Sequence, residues 1–162
     1  MQLTEHFTLE EFETSRLAKR LNIKNRVPDF TTAHNLYSLC FLLEKIRKYI
    51  GKPIVITSGY RCPELNKAVG GVSNSQHMLG EACDFIICYP YSSKDVYSDI
   101  FTYLLEDSTF IDQCILYEKK DGGNFIHLSS VEKSRCRHEY FKYVETEKGF
   151  SKIPFSISSF CF

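Results

Sequence analysis

The sequence predicts an α+β domain, a small, mainly antiparallel sheet with helices packed on one side. Three observations carry that expectation. Helical signals dominate residues 8–50, short β-branched or aromatic runs recur between 54 and 144, and Asp121-Gly122-Gly123-Asn124 is a strong hairpin turn between two such runs. A chain of 162 residues has room for one domain that buries roughly 70% of its unfolded surface. Residues 1–162 are therefore read as one unit. With 43% hydrophobic and 25% charged residues, the composition excludes disordered and fibrous classes.

The first element opens on a readable cap. Thr8 followed three residues later by Glu11 is a capping box, and Phe7 and Phe12 flank it as a hydrophobic staple, so a short helix begins at the LEEF run. Pro28 interrupts after a polar stretch, and Asp29 or Thr31 starts the next helix. There Leu36, Leu39, Cys40, Leu43, Ile46 and Ile50 recur at steps of three and four. One face of a long helix is buried, and Gly51 ends it.

The β-branched run at 54–57 reads as an interior strand. Residues 60–80 contain Cys62-Pro63, Gly70-Gly71 and several Ser and Asn, which makes a long loop with one helical turn at 64–69. Structured loops of that length are commonly functional. A second strand spans 83–88 and stops before Pro90. A helix follows over 93–105, with Val96, Ile100, Tyr103 and Leu104 on one face. Strands at 113–119 and 125–130 flank the hairpin turn. Residues 137–144 add another strand, and the final residues, Ile and Phe alternating with Ser, pack along an edge.

Twenty basic side chains balance twenty acidic ones, which argues against a nucleic-acid partner, since backbone-tracking binders carry a net basic face. Seven cysteines, at 40, 62, 83, 88, 114, 136 and 161, are an odd number and contain no CxxC pair. They read as small buried side chains of a protein folded in a reducing cytoplasm. No charged-then-apolar leader opens the chain, and no apolar run approaches the roughly 20 residues that span a bilayer. The expectation is a protein without signal peptide or membrane insertion, and a monomer.

The segment SQHMLGEACD at 75–84 holds the chemistry. It places an imidazole, His77, at the end of a loop and a carboxylate, Asp84, at the start of an apolar strand, with Gly80 permitting a tight return. Two histidines and an aspartate are a suitable donor set for a catalytic zinc ion with one open position. Asp84 precedes Phe85, Ile86 and Ile87, where an unpaired carboxylate costs several kcal/mol to bury. Loop amides could satisfy it equally. The third ligand is sought among His6, His34, His127 and His138, and His127 sits on a short strand between apolar neighbours.

If Gly122-Gly123 is a two-residue hairpin loop, Glu118 faces His127 across the ladder, with Cβ atoms about 5 Å apart. That register sets a carboxylate where a general base for zinc-bound water has to stand. An exposed cross-strand Glu and His pair is the plainer alternative.

Together these residues resemble the zinc D-Ala-D-Ala carboxypeptidase family, in particular its small single-domain phage and bacterial members. The resemblance rests on TSGYR at 57–61 followed by Asn66, SxHxxGxAxD at 75–84, FIDQCILYE ending at Glu118, FIHLS around His127, and FTLEEF near the start. It covers a core of residues 5–130, which leaves 131–162 as a C-terminal extension. It implies a hedgehog-like, D-Ala-D-Ala-peptidase-like fold, zinc held by His77, Asp84 and His127, and Glu118 as the catalytic carboxylate. Arg61 would orient or polarise substrate, although a structural ion pair would explain it as well. Tyr60 would form an aromatic wall, Ser75 would position the loop beside substrate, and Asn66 and Gln113 would support the metal ligands from behind.

Several relatives carry the catalytic acid three residues before the last histidine, where this chain has Asn124; Asp121 is the second candidate. Phe125 stands where a tryptophan is familiar. Cys62 and Cys83 flank the site segments either as passive core atoms or as soft ligands competing for the metal. The implied activity is zinc-dependent hydrolysis of peptidoglycan stem peptides, by a carboxypeptidase or an endopeptidase. The enzyme would reach the wall after release, as a phage endolysin, or as part of a virion. The alternative is a non-catalytic zinc-containing binding or virion-structural module that keeps the fold.

Overall fold

The computed structural model describes residues 1–88, 90, 94–106 and 110–154. Two short helices, α1 (Leu9–Glu13) and α2 (Arg16–Leu21), precede the long α3 (Phe30–Ile50). The expected cap is present, with the Glu11 carboxylate accepting from the Thr8 backbone N–H at 3.0 Å. Phe7 and Phe12 meet edge-on and are almost wholly buried. Asp29 starts α3 by accepting from the Thr32 N–H at 2.8 Å, and Gly51 ends it in the left-handed region at φ 60°. Helix α2 was not expected from its polar composition. Its signal was Ser15, whose hydroxyl accepts from the Ala18 N–H.

Strand β1 (Ile54–Ser58) leads into α4 (Pro63–Ala68) and a 3-10 turn at Gln76–Leu79. Then come β2 (Ala82–Ile87), α5 (Lys94–Glu106), β3 (Ile111–Glu118), β4 (Phe125–Ser130), β5 (Glu139–Thr146) and β6 (Gly149–Pro154). They form one six-stranded sheet in the order β1-β2-β4-β3-β5-β6, in which β3 and β5 run parallel and every other pair antiparallel. The fold is thus a mixed α+β one, with helices packed against a mostly antiparallel sheet. Strand β6 pairs with β5 at the edge of the sheet, and the Ile/Phe/Ser alternation expected along an edge lies mostly outside the described residues. Residues 155–162, Cys161 among them, and Ser93, the expected start of α5, lie outside the described residues.

Strand alternation divides the side chains between two faces. Cys83, Phe85, Ile87, Cys114, Leu116, Ile126 and Leu128 are buried in one core with Leu36, Leu39, Cys40, Leu43 and Ile46 of α3 and Tyr97, Ile100, Phe101 and Leu104 of α5. Asp84, His127, Ile115 and Tyr117 alternate with those residues and take the opposite face. The helices thereby anchor a sheet whose other face is left to chemistry.

One register expectation fails. Tyr117 opposes Phe125 and Ile115 opposes His127, so the β3/β4 ladder is offset by three residues from the pairing that set Glu118 beside His127. The connection is not a two-residue turn. Asn124 folds back, its Oδ1 accepting from the Lys119 N–H at 3.0 Å, and Gly122 takes φ 78°, which closes a longer loop over 119–124. An odd offset turns a strand residue to the other face. Glu118 accordingly pairs with Lys142 Nζ at 3.2 Å on the helix side of the sheet. Tyr140, two residues before Lys142 on β5, marks that side by meeting Phe101 of α5 edge-on.

Candidate metal centre

Asp84 lies at the middle of the site because of strand order. On β2 it is directly opposite Ser58 of β1 on one side and His127 of β4 on the other. Its Oδ1 is 2.8 Å from His127 Nδ1 and 3.4 Å from His77 Nε2. Its Oδ2 accepts from an Arg61 Nη at 2.8 Å, while Arg61 Nε donates to the Ser58 hydroxyl at 2.9 Å. Strand β1 is irregular between Ile56 and Ser58, a local break that re-aims the strand end toward the site.

His77 comes from the 3-10 turn, which two glycines place. Gly80 has φ 70°, and a Cβ there would stand 2.5 Å from the Thr32 carbonyl oxygen, so this turn can press against the start of α3 only with glycine. Gly59 is equally tight, with an added Cβ 2.5 Å from the Phe12 backbone. That close approach brings the Gly59 carbonyl to 2.8 Å from His77 Nδ1. A carbonyl only accepts, so Nδ1 carries the hydrogen and Nε2 presents its lone pair toward Asp84.

The donor atoms of His77, Asp84 and His127 all lie within 4.8 Å of one another. Zinc at about 2.0–2.2 Å from each donor of a tetrahedron sets those donors about 3.4 Å apart. The His77–Asp84 separation already matches, and His127 needs to retreat by roughly half an ångström to take the same spacing. The residues present fit the ion.

Charge completes the fit. Burial disfavours ionised Asp84, but hydrogen bonds and charge from His127 and His77 outweigh it and hold the carboxyl well below its usual range. Burial pushes His77 below the ordinary imidazole value, against the pull of Asp84. A carboxylate beside a neutral imidazole is the protonation state that metal binding requires.

Other expected site residues fall elsewhere. Tyr60 is only 4% exposed and belongs to the core, its carbonyl accepting from Asn25 Nδ2, so it forms no wall. Ser75 is buried and starts the 3-10 turn, its carbonyl accepting from the Met78 N–H. Asn66 Nδ2 donates to the Val72 carbonyl and Gln113 Nε2 to Glu139, so both brace their own surroundings instead of the metal ligands. Asp121 caps its own turn by accepting from the Gly123 N–H. Cys83 is fully buried on the helix side, where burial raises its thiol far above its usual value. The six cysteines among the described residues are free thiols, and none joins the cluster.

Two supports were not read from the sequence. Asp112, 1% exposed, accepts from the Arg137 backbone N–H at 2.7 Å, from its guanidinium, and from Gln76 Nε2 at 2.8 Å. This clasp fixes the residue next to His77. Tyr117 stacks on Phe125 with ring centres 4.4 Å apart and rings 5° from parallel, and it sits two residues from Ile115, the direct partner of His127, on the same face of β3. Its signal was the alternation of β3, masked by the assumed register.

Residues 5–129 match the family model described as Peptidase M15. The chain belongs to that family. A segment of 60 residues is 38% identical to the zinc D-Ala-D-Ala carboxypeptidase of Streptomyces albus G, covering 36% of this chain and 24% of that protein. The matched segment thus spans about a quarter of the relative's length. Strands β5 and β6 lie beyond the family match. No helix among the described residues is long and apolar enough to cross a membrane.

Proposed function

We propose that this Peptidase M15 member is a zinc-dependent peptidase that hydrolyses peptide bonds in the stem peptides of bacterial peptidoglycan. The observation that carries the reading is the donor triangle of His77, Asp84 and His127, with Nε2 of His77 freed by the Gly59 carbonyl. The substrate class follows from the relative, a zinc D-Ala-D-Ala carboxypeptidase. When bound, zinc supplies Lewis acidity for hydrolysis of a peptide carbonyl near neutral pH.

The chain's own residues divide the remaining work. Arg61 holds Asp84 in its ligating orientation, and its other N–H groups are assigned to the substrate carbonyl. Tyr117, kept protonated by burial, donates its hydroxyl hydrogen to the oxygen on which charge develops. Glu118 is not assigned the base, because it pairs with Lys142 on the far face. The protein is proposed to be a monomer, made in the cytoplasm and acting on the wall after release or on a phage particle.

One observation favours a second reading. Asn124 occupies the position where relatives carry an acid, and it is spent on the 119–124 loop. A zinc-containing binding or virion-structural module would need no acid there. Metal analysis combined with a cleavage assay on purified peptidoglycan decides between the two. One zinc per chain with release of stem-peptide fragments supports the peptidase; one zinc and no cleavage of any wall substrate supports the module.

A further inference from the structure

We propose that the centre is endo-acting: it takes an extended peptide that continues past the scissile bond onto the outer half of the sheet. There Phe125, Tyr117, Tyr143 and Phe150 form an apolar wall for its side chains. This rests on the zinc-peptidase reading of the same centre and adds which part of the substrate this chain holds.

The wall follows from register. Phe125, Tyr117 and Tyr143 are direct partners across β4, β3 and β5. Their rings make one row, 4.4 Å apart at 5° and 5.2 Å apart at 33°. The neighbouring rung along the same strands is Asp84, His127, Ile115 and Phe141. Successive rungs on one face are about 6.8 Å apart, which is also the spacing of alternate side chains in an extended peptide. A peptide with its carbonyl at the metal therefore sets a side chain two positions away against the ring row.

Strand β6 lengthens the wall. Phe150, 47% exposed, meets Tyr117 edge-on at 5.7 Å. Both β5 and β6 lie outside the 5–129 family match and continue the sheet that carries the site.

The cations are placed for an interior bond. A carboxypeptidase has to hold an ionised terminal carboxylate within one residue of the bond it cuts, which calls for a cation aimed there. Arg61 directs Nε to Ser58 and an Nη to Asp84, so its charge is balanced by a protein carboxylate. Lys119 lies 5.5 Å from the Phe125 ring centre and Lys152 3.8 Å from that of Phe141. Each ammonium group is held against a ring of this face.

The test uses the full chain and the stem pentapeptide L-Ala-γ-D-Glu-L-Lys-D-Ala-D-Ala, either free or acetylated and amidated at its ends, with D-Ala-D-Ala as the short substrate. Binding of the capped peptide to metal-free protein is followed by NMR, zinc affinity by calorimetry, and cleavage by mass spectrometry. Tyr143→Ala and Phe150→Ala are each expected to weaken capped-peptide binding at least fivefold. Zinc affinity should stay unchanged, and KM should rise fivefold with kcat within twofold. Tyr143→Phe restores the ring and should restore binding, while Tyr37→Ala on the far surface changes nothing.

Unchanged peptide affinity in both alanine variants overturns the wall, as does cleavage of D-Ala-D-Ala alone with the capped peptide refused. If the wild type takes no zinc, the peptidase reading fails by itself, and capped-peptide binding to the metal-free chain still decides the wall.

Discussion

Asp84 and His127 face each other directly across β2 and β4, with 2.8 Å between the carboxylate Oδ1 and the imidazole Nδ1. Two atoms that both offer lone pairs approach that closely only with a proton or a cation between them. The pair is therefore built to exchange a hydrogen bond for a shared metal, with His77 closing the triangle.

Removal of one donor should be severe. His77→Ala and Asp84→Asn are each expected to lower zinc affinity by more than about 100-fold, since even residues that only support metal ligands cost about 10–100-fold. Competition with a chromophoric chelator measures this. Unchanged affinity in His77→Ala would remove that residue from the ligand set.

Glu118→Gln separates the two faces of the sheet. With Glu118 paired to Lys142 away from His127, its kcat on stem peptides should stay within about twofold of wild type, whereas Tyr117→Phe loses about 100-fold, the scale of one lost oxyanion donor. Steady-state kinetics on both variants decides the point; a collapse of kcat in Glu118→Gln would return the base to that residue.

Asp112 should set part of the acid sensitivity. Burial opposes its ionisation, but hydrogen bonds from Arg137 and Gln76 prevail and depress its folded pKa below the ordinary carboxylate value. A depressed folded pKa contributes stability that is present above the unfolded value, near 3.9, and lost as pH falls through the folded one. Urea melts of the metal-free protein between pH 5 and pH 2 should show a shallower decline for Asp112→Asn than for wild type. Parallel declines would show that the clasp carries no such linkage.

Gly80→Ala tests the turn that carries His77. A left-handed φ combined with a Cβ 2.5 Å from a backbone oxygen should cost about 1–3 kcal/mol. Thermal melts should show the loss, and zinc affinity should drop with it, because the turn can relax only by moving His77. Full affinity in a destabilised variant would separate the turn from the site.

Much of this protein was legible in its residue order, and the limits have physical causes. The capping box at Thr8, the apolar stripe of α3 and the Gly51 stop are local, so their spacing sufficed. The candidate donors His77, Asp84 and His127 were legible through the resemblance of the SxHxxGxAxD and FIHLS segments to a known family, whereas residue chemistry alone left loop amides open as partners of Asp84. Tyr60 was misplaced because an aromatic beside a motif looks the same whether the chain turns it inward or outward. Helix α2 went unseen because a polar run shows little periodicity, although Ser15 marked its start.

The sequence by itself determined the α+β class, the positions of most elements and the three candidate metal donors, because period, caps and motif chemistry act over a few neighbours. Tertiary structure alone decided which face each strand residue serves. Whether Glu118 or Tyr117 stands on the side of His127 turned on the length of the 119–124 loop, which the Asn124 side chain closes on the Lys119 N–H and which leaves the ladder three residues from a two-residue hairpin register. An odd shift inverts every side chain on a strand, and that inversion separates a carboxylate base from an aromatic wall.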